Sequence, residues 1–576
     1  IFRTGGYDGA GKKFETKEQH VHRLQEGISF EDGEKYTPTE YIKMATENAK
    51  QWREKHYRNR NSNSSQVPDA VTGEEKVMRF TPENLEKDYW RIVERGEQSV
   101  IVEYGNDIDS SSFGSGFPRS ERGRSVESGP IDPEKADLPE PKFGTEEFYK
   151  ETWWNLNNIP CAPDSILRHI KVGINGINVP WMYYGALFST FCWHNEDNYL
   201  YSINYHHWGA PKQWYGVPGN KKDADGLEKV FKGYLSMKMR ENPDLLHHIT
   251  TMFSPRLLLA GGVPVYKTVQ NPGEFIVTFP RAFHGGFSYG PNCGEAVNFA
   301  THEWIRHGTD ANERYRSVAR PAVFSHDRLT FTMANHLKEQ RTYNTCKLLV
   351  AELKRVIGEE MRLRKQLLEA GVRDLSGDIE LPKNRLDQLD EESADYDDKR
   401  LCHACKHICF FSCVACECSQ SKVSCLRHSH YMCRCPPTSK YMMIWSQSDE
   451  MLKTLDNVMD HCDTLKGVVS CQGRTSEDKK RHVAPGVAED PGRLKEGQEI
   501  DLSQESLPKY PLKAGGSAGN GNTAVVPPST SAAIFDSDDK AMTEAKRHKL
   551  DHATAGDKGN GEISEASKVS DVDTSD

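Results

Sequence analysis

The run Trp193-His194-Asn195-Glu196-Asp197 lies in a stretch dense in aromatic and β-branched residues. A further histidine, His284, follows ninety residues later in Phe279-Pro280-Arg281-Ala282-Phe283-His284-Gly285-Gly286. On a β-strand, residues two apart share a face, so His194 and Glu196 are expected to point together while Asn195 and Asp197 point away. An imidazole and a carboxylate from one strand, joined by His284 from a distant one, would occupy one face of an octahedron. Two histidines and one carboxylate arranged in this way favour Fe(II) and leave three positions open for a co-substrate and O2. The His-x-Glu pair alone is a weak signal, because both residue types are common; its surroundings decide its weight.

A second constellation is built on sulfur. Nine of the 15 cysteines fall between Cys402 and Cys435. The spacings Cys402-x2-Cys405, Cys416-x-Cys418, Cys425-x2-His428 and Cys433-x-Cys435 offer eight ligands, enough for two tetrahedral Zn(II) ions. A secreted disulfide scaffold spreads its cysteines through a short chain, whereas one dense cluster in a long chain reads as a metal site in a reducing compartment. Cys409 and Cys413 are left over and are expected to pack as small apolar residues. His430 is the rival of His428. Zinc is expected to supply most of this module's folding energy.

The elements that must position these groups follow from composition and patterning. The chain has 576 residues, 36% hydrophobic, and a formal net charge of -10. Its length predicts two to four domains, and the low apolar fraction predicts that part of it is disordered. Residues 385–399 hold seven acids against two bases, and the last 41 residues hold 11 acids against six bases. Those two stretches carry the whole net charge, so the remainder is near neutral and a strongly basic nucleic-acid-binding body is excluded. No apolar run approaches the roughly 18 residues of a membrane span. Beginning at Ile1 rather than Met, and without a charged-then-apolar leader, the chain reads as a fragment.

Residues 1–35 are polar. Helices are expected over 36–57 and from Thr81-Pro82-Glu83 onward, with a polar linker over 58–72 between them. Residues 99–104 alternate like a strand, and 111–150 read as a mobile connection. From 151 to about 310, short apolar runs punctuated by Gly and Pro predict many short strands in a sandwich or barrel. Residues 325–372 read as helix ending at Gly371, and 449–466 as an amphipathic helix. Beyond Cys471 the only aromatics are Tyr510 and Phe535, so the tail is expected to form no core.

After Glu196 comes Tyr199-Leu-Tyr-Ser-Ile-Asn204-Tyr-His-His-Trp208-Gly-Ala-Pro-Lys212-Gln-Trp214-Tyr-Gly216-Val-Pro. Together with Glu103-Tyr104-Gly105, Phe113-Gly-Ser-Gly-Phe-Pro118 and Asn292-Cys293-Gly-Glu-Ala296-Val-Asn298-Phe299, this run resembles the JmjC-domain family across residues 99–310. The resemblance implies a mainly β catalytic core, a double-stranded β-helix of cupin or jelly-roll type, that holds Fe(II) and the co-substrate 2-oxoglutarate. Family iron-ligand positions fall on His194, Glu196 and His284. Positions for 2-oxoglutarate fall on Tyr104, Phe191, Ser202, Asn204 and Lys212, with Trp214 flanking. Lys212 and the Tyr104 hydroxyl would supply the cation and donor that a distal carboxylate needs. The implied reaction is oxidative removal of an N-methyl group with release of formaldehyde, succinate and CO2. It needs no nitrogen lone pair, so trimethyl-lysine is allowed.

Within that family the chain looks most like the demethylases of lysine 4 of histone H3, which carry a C5HC2 zinc finger after the catalytic domain. The Cys and His order above is that pattern. Implied substrate positions are Gly176, Tyr183, Glu196 and Ala296. The implied partners are the histone H3 tail and chromatin-associated complexes, in the nucleus, with no membrane and no direct DNA readout. Lys479-Lys-Arg-His482 and Lys546-Arg-His-Lys549 are candidate import signals, and the acidic stretch 385–399 would favour approach of a basic tail. Lys12-Lys-Phe-Glu-Thr-Lys-Glu-Gln-His-Val-His-Arg-Leu24 resembles the tail of a JmjN domain; no cysteine precedes Cys161, so no PHD finger intervenes, an arrangement similar to compact plant and fungal enzymes.

The implied organisation is a JmjN-like tail over 1–35, a helical lead-in and linker over 36–98, the JmjC domain over 99–315 and a helical segment over 316–384. An acidic linker (385–400), the zinc finger (401–440), a helix (441–470) and a disordered tail (471–576) follow. Four positions depart from the family pattern: Asn106 stands for a usual Ala, Ala186 for Met, His206 for Leu and Arg427 for His. None removes an iron or co-substrate group. Demethylation of histone lysine 9 or 36, hydroxylation of a protein side chain, and a catalytically silent chromatin scaffold remain the alternatives.

Overall fold

The computed structural model describes residues 11–57, 80–120, 141–241, 250–374 and 398–477. The linker at 58–72, the acidic stretch up to residue 397, both candidate import signals and the tail beyond 477 lie outside the described residues.

Two antiparallel sheets make the core. The larger contains β1 (Phe14–His20), β2 (Glu31–Tyr36), β3 (Ile101–Asp109), β4 (Trp181–Gly185), β6 (Tyr201–Gly209), β9 (Phe275–Thr278) and β11 (Asn292–Phe299), ordered β2-β1-β3-β4-β11-β6-β9. The smaller contains β5 (Thr190–His194), β7 (Lys212–Gly216), β8 (Tyr266–Gln270) and β10 (His284–Ser288), ordered β5-β10-β7-β8. From β4 to β7, and again from β9 to β11, successive strands alternate between the sheets, which is the winding of a double-stranded β-helix. The expected barrel is therefore present.

The helices Pro38–Tyr57 and Pro82–Arg95 form where Thr-Pro pairs open them. The Thr81 hydroxyl caps the second, and Gly96 closes it in the left-handed region at φ +61. Its apolar face packs against the smaller sheet, with the Tyr89 ring stacked on Phe287 at 3.9 Å.

In several places the structure departs from the expectations. Residues 14–36, read as a polar lead, form a hairpin that adds two strands to the larger sheet through β1–β3 pairing. The inward positions of β1 include the polar Thr16 and Gln19, and Gln19 exchanges two 2.8 Å hydrogen bonds with the Thr190 backbone. The expected mobile connection at 111–150 is partly anchored. The Gly116 amide donates to Glu295 at 2.9 Å, Ser115 donates to the same carboxylate at 2.6 Å, and Phe117 is buried; residues 121–140 lie outside the description. The single helix expected over 325–372 is two, His326–Asn335 and Tyr343–Glu369, joined by a 3-10 turn at Leu337–Glu339.

Those helices, with Trp304–Ser317, share one core with Leu200 and Tyr201 of the barrel, Phe411 of the cysteine-rich module, and Met451 and Val458 of the last helix, Ser448–Glu477. Residues 441–444, expected as helix, belong instead to β14 (Lys440–Ile444), which pairs with β12 (Arg373–Asp374) and β13 (Ser412–Cys416). No helix among the described residues is long and apolar enough to cross a membrane.

Candidate active site and metal centres

His194 ends β5, and the antiparallel register sets His284 of β10 directly across from it, with 4.2 Å between ring centroids. Each ring turns Nδ1 toward a backbone carbonyl two residues earlier, Cys192 O at 2.7 Å and Ala282 O at 3.1 Å. A carbonyl only accepts, so Nδ1 carries a proton in both rings and Nε2 is the nitrogen left to face a ligand. Glu196 lies just past the end of β5, not on it. Its backbone remains extended (φ -67, ψ 148), so the side chain stays beside that of His194. Its Oε1 is 3.3 Å from His284 Nε2, and its Oε2 accepts from Asn298 Nδ2 at 2.9 Å. The ligand atoms of the three residues lie within 4.8 Å of one another. Asp197 turns away to accept from Arg320 at 2.7 Å, as the alternation implies.

Burial, helped by the neighbouring His284, lowers His194 to about 4. Burial alone would raise Glu196, but the His284 contact, His194 and Asn298 together bring its carboxyl down to about 2. At neutral pH the group is thus a neutral imidazole donor at His194 beside an ionised carboxylate, which suits a divalent ion of the Fe(II) type. Asn298, which sequence reasoning did not single out, orients the carboxylate; it lay unremarked within the Ala296-Val-Asn298 run.

Lys212 opens β7 and is 7% exposed. Burial lowers its ammonium to about 8. Among the described residues no carboxylate pairs with it within 4 Å; it lies 5.9 Å above the Tyr183 ring. A Cβ at Gly294 would stand 2.9 Å from Lys212 Nζ, so the glycine makes the room the ammonium occupies. Tyr104 is buried on β3, its ring 6.4 Å from that of Tyr183, and burial holds both phenols protonated.

Phe191 packs on Trp214 at 4.6 Å, and Trp214 stacks on His284 at 6.0 Å. Asn204 donates to Ser202 at 3.2 Å, and Ser202 shares a 2.5 Å hydrogen bond with Thr278. Cross-strand register sets Ser202 opposite Asn298 and Asn204 opposite Ala296. A buried ammonium without a carboxylate is costly unless an anion joins it. Together with a phenol and an amide nearby, it fits a small dicarboxylate.

Of the expected substrate positions, Tyr183 and Ala296 lie on neighbouring strands of the larger sheet, facing the same way in register. Tyr183 donates to Asp107 at 3.2 Å. Gly176, at φ +78, lies under the Trp181 ring, and Trp181 is the cross-strand partner of Ala296.

The eight zinc-ligand candidates separate into two groups of four. Cys402, Cys405, Cys425 and His428 form one; Cys416, Cys418, Cys433 and Cys435 form the other. The pairs interleave along the chain, the first with the third and the second with the fourth. Cys409 and Cys413 are buried outside both groups, and His430 packs on Tyr431 instead.

Among the departures, Asn106 donates to Asp107 at 2.9 Å, and Ala186 is buried against Tyr184 and Phe14. Arg427 bridges two carboxylates, Glu313 at 2.8 Å and Glu359 at 2.6 Å, tying the finger to two helices.

Residues 181–299 match the JmjC domain, described as a hydroxylase, and residues 402–454 match the C5HC2 zinc finger. Over 402 residues, 69% of this chain, the sequence is 40% identical to "Lysine-specific demethylase 5D" of Homo sapiens and equally to that of Pan troglodytes. The chain spans 24% of the length of those relatives. With the barrel, the His-Glu-His group and both cysteine sets in place, the chain carries a JmjC domain over 181–299 and a C5HC2 zinc finger over 402–454.

Proposed function

We propose that this chain is an Fe(II)- and 2-oxoglutarate-dependent demethylase of methylated lysine in the histone H3 tail, with lysine 4 as its target, acting in the nucleus. The observation that carries the reading is the juxtaposition of three ligand side chains with a buried ammonium that has no carboxylate partner among the described residues. When bound, iron and 2-oxoglutarate supply the oxidation that hydroxylates an N-methyl carbon, after which the hydroxymethyl product loses formaldehyde.

The chain's own residues hold and shield. His194 and His284 present Nε2 to the metal because their Nδ1 protons are committed to backbone carbonyls. Asn298 fixes the Glu196 carboxylate. Lys212 would pair with the distal carboxylate, the Tyr104 hydroxyl would donate to it, and Ser202 and Asn204 would add hydrogen bonds. Phe191 and Trp214 form an aromatic wall that keeps water from the acyl chain. Tyr183, Gly176 and Ala296 would line the methyl-ammonium side, where an aromatic ring attracts a cation and small residues leave room for three methyl groups. The two cysteine sets would hold zinc. The lysine-4 assignment rests on the Phe191-to-His194 run, the Trp208-to-Pro218 run and Ala296.

The test is a panel of H3 peptides trimethylated at lysine 4, 9 or 36, incubated with the chain, Fe(II) and 2-oxoglutarate. Methyl loss with formaldehyde release on the lysine-4 peptide is expected. Loss confined to another peptide would move the target. No loss on any would leave the silent scaffold.

A further inference from the structure

His206 stands where the resembling family usually carries Leu. It is fully buried on β6, on the same strand face as Ser202 and Asn204. Its cross-strand neighbour is Gly294, and the next strand position is Tyr183. Lys212 Nζ lies over that glycine. Neighbouring cross-strand positions are about 4.5–5.5 Å apart, so the imidazole borders the ammonium.

The two ring nitrogens are unequal. Nε2 is 2.9 Å from Ala210 O and must carry its proton to bond there. Nδ1 is buried without a well-formed hydrogen bond, and besides Ala210 the Cys293 backbone carbonyl also faces the ring and favours its charged form. Moving the one proton to Nδ1 would break the Ala210 bond, so Nδ1 becomes a donor only if the ring takes a second proton. Burial and the charge of Lys212 oppose that and lower His206 to about 4. The other titratable groups around it are Cys293 on β11, whose thiol burial raises, Tyr183 and Tyr104 with their phenols protonated, and His207 on its own strand. His207 points to the opposite face and pairs with Glu295 at 2.8 Å. None supplies a negative charge to His206.

We propose that His206 is a second cation of the dicarboxylate pocket, taking up one proton from solvent at Nδ1 when the distal carboxylate of 2-oxoglutarate pairs with Lys212. The carboxylate cancels the ammonium charge that kept the ring neutral and gives the new N–H a negative neighbour. The inference rests on the co-substrate reading of this pocket.

The test is calorimetry of 2-oxoglutarate binding to the full chain loaded with Mn(II), between pH 5.5 and 7, in buffers of different ionisation enthalpy. Lys212, at about 8, is already protonated in that range and stays silent. The wild type is expected to take up a proton on binding, with Kd tightening by up to tenfold per unit fall in pH. His206→Leu, the usual family residue, is expected to show neither effect. Binding by the wild type with no proton uptake, or with the same uptake and slope in His206→Leu, overturns the proposal, and the wild-type proton count decides it even if the variant fails to fold. Absence of binding to either protein overturns the co-substrate reading itself, and this proposal with it.

Discussion

In the barrel, the residues between and beside the metal-binding side chains carry the packing. Cys192, Trp193, Phe283 and Phe287, which flank His194 and His284, belong to one large buried cluster that includes neither ligand. In the zinc module the ligands are the packing: Cys402, Cys405 and Cys425 sit inside the small cluster that also holds Cys409, Cys413, Val423 and Tyr441. The barrel therefore arranges its three ligands by strand register and backbone hydrogen bonds. The finger's own apolar residues, among them Val423, Tyr441 and Met443, pack around its sulfurs, and zinc held there would add to its folding energy. On the proposed reading, one chain would use a metal for chemistry on a packed scaffold and another metal to brace a small module.

The largest expected effect breaks the second half of that contrast. Structural zinc contributes about 10–16 kcal/mol of apparent binding energy in isolated fingers. Cys402→Ser or Cys433→Ser is expected to release zinc and unfold the module, while the barrel keeps its structure. Zinc content, about two per chain in the wild type, and protease protection of 398–446 against 181–299 would check it; a module that stays protected without zinc would erase the difference.

A smaller effect is expected at Asn298. Asn298→Ala removes the hydrogen bond to Glu196 and should weaken metal binding by about 10–100-fold, read by titration of the metal-free chain with Mn(II). The fold should be retained, because the barrel does not depend on its metal.

Smaller again is the tie between the modules. Arg427→Met removes contacts to Glu313 and Glu359, and since these groups are partly exposed the cost is expected to be about 1–2 kcal/mol in denaturant unfolding. No change would mean that the finger is held by Phe411 and the helical core alone.

The smallest is the pH response of Lys212. Its folded-state value is lowered to about 8, so the ammonium is present below that pH and lost above it. KM for 2-oxoglutarate should be flat with respect to Lys212 below pH 8 and rise by up to tenfold per pH unit above it. Lys212→Met should abolish the step.

Much of this contrast is visible in the residues themselves. His194, Glu196 and the cysteine pairs are close in sequence, so spacing alone brings them together, and His284 follows from its residue type in a strand-rich block. What spacing cannot supply is long-range pairing. Asn298 meets Glu196 across 102 residues, and the two cysteine sets interleave, which depends on how β13 turns back rather than on any pair's own spacing. The β1–β2 hairpin escaped because its inward residues Thr16 and Gln19 are polar and satisfied by hydrogen bonds, leaving no apolar alternation to read. The break between Asn335 and Tyr343 escaped because no Gly or Pro marks it; the stop depends on Gln340, which reaches His169 at 3.1 Å from another part of the fold.

On the proposed reading the His194–Glu196–His284 face performs the chemistry while the zinc module only supports it. The direct measurement is formaldehyde release from a trimethyl-lysine-4 H3 peptide by the wild type and by His194→Ala, with zinc content and thermal unfolding recorded on the same samples. Release by the wild type, none by the variant, and about two zinc ions with closely similar unfolding in both are expected. Equal release from both proteins, or no release from either, would contradict that reading.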